Sequence, residues 1–342
     1  MTMLSTRKIC IILTAGLLTA AILGILLGNV IIPLSDLSGI LGALLKGEAL
    51  SGTLRSTARI LTLLRIPRTV MMLLAGAALG SSGASYQGLF RNPLADPYLI
   101  GVSSGAGLGA VIALSINWRY SRISALMVPI FTFVFALVTV FIVFNLGRMG
   151  GYLNITGLLL AGVAMNAFTS ALSSAWILVS GMEPKRSFSW MLGGGGIAGW
   201  DRLLIAAPLI LIGLLGQFRY SYPLNILQYG DEQALQLGIP IKQVRIRLII
   251  FATLATSAAI ACTGIIGFVG LIVPHLLRVL NGGDYRRLIP LSTAGGALLL
   301  TGADILARII LRPQELPVGI ITALMGAPFF LWILNRSAKA KV

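Results

Sequence analysis

Residues 246–280 read IRLIIFATLATSAAIACTGIIGFVGLIVPHLLRVL, an apolar run too long for a single helix across a bilayer. Drawn as one helix it would measure about 50 Å, against a hydrocarbon core of roughly 30 Å. It must break, and Gly264, Gly267 and Gly270 are where the backbone bends most freely. The stretch therefore reads as two membrane spans, about 246–264 and 265–281.

The rest of the chain obeys the same arithmetic. Of its 342 residues, 57% are hydrophobic and 11% charged, where a soluble domain carries about 25% charged. A water-soluble enzyme is excluded. Further spans read at about 9–32, 66–89, 98–116, 124–146, 153–180, 203–219, 288–310 and 317–335. Arg7 and Lys8 precede the first, which is too long for the apolar core of a cleaved leader. Arg336, Lys339 and Lys341 put the other terminus on the same, cytoplasmic side. An even number of spans follows, which favours ten over nine. Residues 33–65, with Pro33, Asp36, Lys46, Glu48, Arg55 and Arg59, read as a polar connection whose 37–45 portion lies along the membrane surface. The fold class is an all-α polytopic membrane protein in one domain, 1–342.

Net charge is +16, yet no run of five basic residues exists, so nucleic acid is not an expected partner. No Gly-x-x-x-x-Gly-Lys-Ser/Thr occurs, so the chain is not expected to bind or hydrolyse a nucleotide itself. Cys10 and Cys262 read as small buried thiols, and one histidine makes a zinc or haem-ligating site improbable. No catalytic, cofactor or metal-binding residue is expected. The 26 Lys and Arg residues divide almost evenly between the two faces on this topology, against the positive-inside rule. Arg65 and Arg68, flanking Pro67, are the sharpest case. They read either as headgroup contacts or as an electropositive landing surface for an acidic soluble protein.

The stretch Arg91-Asn-Pro-Leu-Ala-Asp-Pro-Tyr-Leu-Ile-Gly-Val-Ser-Ser-Gly-Ala-Gly107 resembles the signature of the iron-siderophore, haem and cobalamin importer permeases. These are transmembrane subunits of type II ATP-binding cassette (ABC) importers. Leu64-Arg-Ile-Pro-Arg68, Leu158-Leu-Leu-Ala-Gly162, Gly267-Phe-Val-Gly-Leu-Ile-Val-Pro-His-Leu-Leu-Arg278, Ala303-Asp-Ile-Leu-Ala-Arg308 and Glu315-Leu-Pro-Val-Gly319 are similar to family motifs, in family order. The resemblance covers the chain from about residue 60 onward. It implies about ten transmembrane helices, an extracytoplasmic substrate-binding protein, two copies of a separate ATPase subunit, and a second permease subunit, expected as a homodimer. The setting it implies is the bacterial inner membrane.

The motifs also have a physical reading. The two prolines of Asn92-Pro-Leu-Ala-Asp-Pro97 stop one helix, and Asp96 can cap the next with Pro97 at its first position. By resemblance, Asn92 and Leu94 form one constriction of a cytoplasmic gate. Asn154, Ile155 and Thr156 form the other, Ile155 being more apolar than the family's usual hydroxyl residue. Within 225–243, Asp231 can cap a short helix, Glu232 complements its dipole and Gly238 stops it. So short a helix needs something to pack on. The segment resembles the coupling helix seated in the ATPase, with Asp231, Glu232, Ala234, Leu237 and Gly238 its contact residues. Lys242, Arg245 and Arg247 would border the headgroups.

By the same resemblance, Arg65, Arg68 and Arg308 receive acidic residues of the binding protein. Asp304 is the most deeply placed charge, and Arg308 at i+4 could neutralise it as a structural ion pair. His275 reads as a helix-end hydrogen-bonding residue. The cargo reads as a ferric siderophore, with haem or cobalamin sharing every motif quoted and the path lined mainly by spans five and ten. A rival reading, an ion-coupled secondary transporter, needs several intramembrane carboxylates near the midplane. Only Asp304 fits it. A channel would need no coupling helix.

Overall fold

Gly264, at φ +81°, ends one helix, and Phe268, at φ +70°, begins the next, so the long apolar run breaks over 264–268. Gly270, expected at the break, lies inside the second helix instead. The computed structural model describes residues 5–30, 32–46, 50, 52–116, 121–149, 152–194 and 199–339; Glu48 and Lys341, named above, lie outside them.

The chain begins with α1 (Thr6–Leu26) and α2 (Leu34–Lys46), the latter in the stretch expected to lie along the membrane. The remainder of the supposed polar connection differs from expectation. α3 (Gly52–Arg59) runs through a π-helical turn, Ile60–Arg65, straight into α4 (Ile66–Leu89). Pro67 is the physical reason. Its missing N–H and its ring would disturb a regular helix one turn back, and the wider turn takes up the disturbance. The result is one continuous 38-residue helix, Gly52–Leu89.

After α4 the chain turns, and Asp96 Oδ1 accepts the Tyr98 amide at 2.8 Å to start a 3-10 turn, Pro97–Ile100. Then come α5 (Val102–Ser115), α6 (Ser121–Leu146), a two-residue ribbon of β1 (Arg148–Met149) and β2 (Tyr152–Leu153), and α7 (Ile155–Val179). α8 (Pro184–Met191), α9 (Trp200–Arg219), α10 (Ser221–Leu227), α11 (Asp231–Gln236), α12 (Ile241–Thr263), α13 (Val269–Asn281), α14 (Tyr285–Ile309) and α15 (Val318–Lys339) complete it. Among the described residues, seven helices are long and apolar enough to cross a membrane, and Val102–Ser115, Val269–Asn281 and Val318–Leu331 are shorter apolar ones. Together they make the ten expected.

α4 is the axis of the packing. Every residue from Ala75 to Leu89 is buried, in a sequence of small side chains that lets neighbours approach on all sides. On one side α13 comes so close that a Cβ at Gly83 would collide with the carbonyl of Gly270. On another, Ser81 and Ser85 both donate to Gln217 Oε1 of α9 at 2.9 Å, and Tyr86 meets the Thr253 hydroxyl of α12 at 2.9 Å. Polar groups removed from water need such partners. A second core joins α5, α6 and α7. By contrast, α7 leaves Leu160, Val163, Phe168, Leu172 and Leu178 exposed. Cys262 is buried as expected, whereas Cys10 is exposed on the outside of α1.

Candidate functional site

Two polar constellations sit at opposite ends of α4. At its start, the Arg65 guanidinium is buried and serves the unpaired carbonyls at the end of α1: Ile25 at 3.1 Å, Leu26 at 2.5 Å, and Val30 beyond them. A cation there also complements the helix dipole. Asp304 of α14 is fully buried between two arginines. Arg68 reaches its Oδ1 at 2.9 Å and Arg308 its Oδ2 at 2.8 Å. Arg308 in addition donates to the carbonyls of Gly24 and Leu27 at 3.0 and 2.9 Å. Arg68 extends outward to Glu315 at 2.6 Å, and Glu315 accepts from Asn29 at 2.9 Å. The structure thus gathers Arg65, Arg68, Arg308 and Asp304 into one cluster, with Arg65 and Arg308 turned inward. Sequence reasoning missed Asn29, and it met Glu315 only as the first residue of a motif, with no role in this cluster. Neither contact has a local signal, since they span 286 and 247 positions.

At the other end of α4, the short helix α11 stands on a shared carboxylate. Asp231 Oδ1 lies 2.5 Å from Arg91 and 2.8 Å from Arg245. Asp231 was expected to cap α11; instead Gly230 occupies the cap position, and the Asp231 side chain is drawn to the two guanidiniums. Arg245 is likewise not at the headgroups. It is buried on α12, while Arg247 bonds the Tyr220 hydroxyl at 2.8 Å. Gly238 stops the helix at φ +74°, a conformation that favours glycine. Ala234 is buried beneath α11, and Leu235 and Leu237 are 62% and 66% exposed, with Glu232 exposed beside them. α11 and the residue that ends it thus present two leucines outward, a face with no partner among the described residues.

Asn92 and Leu94 follow directly after Arg91. The Asn92 side chain accepts the Leu94 amide at 2.9 Å, and both residues are exposed. Asn154 caps α7, accepting from Thr156 and Gly157 at 3.0 and 3.3 Å. Thr156 is exposed, and Ile155 is half-buried against the second core. His275, read as a helix-end residue, lies inside α13 and sets its ring edge-on to Phe329 at 6.2 Å, near Leu94 and Phe268.

A cavity of about 720 Å³ opens beside Arg91 and Asn92, lined also by Gln87, Arg278, Asp284 and Tyr285. Asp284 caps α14 by accepting the Arg286 amide at 3.0 Å. Its side-chain bond from Arg286 and the 2.5 Å bond from Asn225 hold the carboxyl down to about 2, against some burial. Asp96 moves the other way: burial lifts its carboxyl to about 6, opposed by the Tyr98 amide.

The FecCD transport family matches residues 16–336. The chain belongs to that family. It is 42% identical over 282 residues to the hemin transport system permease protein of Yersinia pestis, covering 81% of this chain and 84% of that one. It is 40% identical over 276 residues to the vitamin B12 import system permease protein of Klebsiella pneumoniae, covering 80% and 82%. Among solved structures, a metal-chelate type ABC transporter in an inward-facing conformation matches with a TM-score of 0.80 at 28% identity, covering 97% of this chain and 99% of that one. This FecCD chain therefore carries the type II ABC importer permease fold.

Proposed function

We propose that this chain is the permease subunit of an ABC importer for a bulky metal chelate, a ferric siderophore in the first reading. Two copies would enclose the path, with the exposed faces of α7 and α15 lining it. A separate ATPase, in two copies, would receive α11 on the cytoplasmic side, and an extracytoplasmic binding protein would deliver the cargo to the Arg65 end. Both termini would lie in the cytoplasm of a bacterium, with the spans in its inner membrane. The whole of 1–342 would act as one permease domain, with 225–243 its coupling segment.

The observation that carries this reading is the pair of salt bridges that Asp231 Oδ1 accepts from Arg91 and Arg245. Any displacement of α11 by a partner pulls directly on Arg91, the residue before Asn92 and Leu94 of the proposed gate. Asn154, Ile155 and Thr156 would form its second constriction, with the half-buried Ile155 stiffening it. Glu232, Leu237 and Gly238 shape the surface the ATPase would hold, and Ala234, expected as a contact residue, supports it from beneath because its side chain is buried. At the Arg65 end, Arg68 is the arginine that reaches solvent, and Arg65 and Arg308 hold and charge the site around it. The Asp304–Arg308 contact is proposed as structural rather than as a proton relay.

The second reading is haem or cobalamin as cargo, and the names of the two relatives favour it. Uptake into vesicles containing the permease, its ATPase and its binding protein decides among ferric hydroxamate, haemin and cyanocobalamin. ATP-dependent uptake of one of the three is expected. Uptake without ATP, driven by a proton gradient, would overturn the importer reading.

A further inference from the structure

At the Arg65 end a cavity of about 180 Å³ is walled by Arg65, Arg68 and Arg308, with Glu315 and Asn29 at its rim. Three guanidiniums there face two carboxylates, and the two carboxylates differ in kind. Asp304 is fully buried and held from both sides by Arg68 and Arg308. A carboxylate in that position cannot leave without stranding buried charge. Glu315 sits in the connection between α14 and α15, its side chain 38% exposed. It holds Arg68 through a single nitrogen, Nη1, while the Nε and Nη2 of Arg68 stay on Asp304. Of the two partners Glu315 is the exposed one and Arg68 is 15% exposed, so it is the carboxylate that can swing into solvent at small cost.

We infer that Glu315 is an internal stand-in for a carboxylate of the acidic binding protein, occupying Arg68 until that partner docks and displaces it. The inference rests on the docking reading proposed above. Exchange of one carboxylate for another at Arg68 Nη1 leaves the charge of the half-enclosed site unchanged, so no buried charge is stranded at any stage. It also sets a threshold. An anion that cannot reach Nη1 in the direction Glu315 occupies finds the arginine already neutralised, which raises selectivity for a carboxylate presented on a protein surface.

The test measures the affinity of the binding protein that stimulates the complex's ATPase for the permease–ATPase complex in nanodiscs at low salt. Glu315→Gln should bind about two- to fivefold more tightly, the range a half-exposed ion pair covers. That gain should vanish when Arg68→Gln is added, as a double-mutant cycle requires of residues that act through each other. Unchanged or weaker binding by Glu315→Gln, with Arg68→Gln weakening it, would overturn the stand-in and leave the docking reading in place. A gain that persists with Arg68→Gln would also overturn it, as a general charge effect. Arg68→Gln binding like wild type would instead remove the docking reading itself. If Arg68→Gln does not fold, phenylglyoxal labelling followed by mass spectrometry serves. Arg68 should react faster in Glu315→Gln than in wild type, and equal rates would overturn the inference.

Discussion

Asp231 and Arg91 lie 140 positions apart in sequence and 2.5 Å apart in space, and Arg91 is the residue before the Asn92–Leu94 turn. A force on α11 therefore reaches that turn through one ion pair and one peptide bond. Asp231→Asn should leave the complex assembled with a moderately lowered melting temperature, since the exposed Arg91 pair is worth at most about 1 kcal/mol while the buried Arg245 keeps only a neutral amide as partner. It should sharply reduce uptake per ATP hydrolysed. Parallel assays of uptake and phosphate release in vesicles check this. A proportional fall in both would point to lost assembly instead.

The buried carboxylate at the Arg65 end behaves differently. Asp304→Asn leaves Arg68 and Arg308 without their shared anion, and breaking a buried pair from one side costs about 3–5 kcal/mol. A large drop in the melting temperature of the purified permease is expected. Asp304→Asn combined with Arg308→Met should recover part of it, because the stranded charge is then removed as well.

Gly83→Ala tests the packing axis. The added methyl meets backbone, which cannot rotate away as a side chain could, so the cost should reach the upper part of the roughly 1–3 kcal/mol range for overpacking. Gly302→Ala is the matched control on α14, where nothing lies within 4 Å of the new carbon. It should be neutral or stabilising by up to about 1 kcal/mol through helix propensity. Thermal melting of both variants in the same detergent separates the two cases.

Asp284 gives a pH dependence with a definite sign. Its carboxyl titrates near 3.9 when unfolded and at about 2 in the fold, chiefly through the Arg286 bond. The lowered value means the stabilisation is fully present above about pH 4 and disappears as the pH falls through about 2. The melting-temperature gap between wild type and Asp284→Asn should therefore be constant from pH 7 to 5 and close below pH 4.

The ten spans were legible because an apolar run of membrane length has few other uses, and the break in 246–280 followed from length alone. Asp96, Pro97 and Gly238 were legible because caps and stops act within a few residues. The π turn was not: polar residues such as Arg55 and Arg59 hid a helix that continues past them. α8, at eight residues, is too short for a periodic signal. At the Arg65 end, the local reading found Arg308 for Asp304 at i+4. It had no means of finding Arg68, which comes from 236 positions away. Arg245 was read as bordering the headgroups for the same reason, its partner being defined only once α11 folds back onto α12.

The π turn at Ile60–Arg65 holds one residue more per turn than its neighbours on either side. It acts as a phase shifter: the α3 portion is rotated by about 100° relative to where an unbroken α-helix would have carried it. Arg55 and Arg59 before the turn are exposed, and Arg65 at its end is buried. Excising a single residue between 60 and 64 would dial the α3 segment round by the same angle, and the Arg65 end would show a different set of charges while the spans beyond it kept their seats.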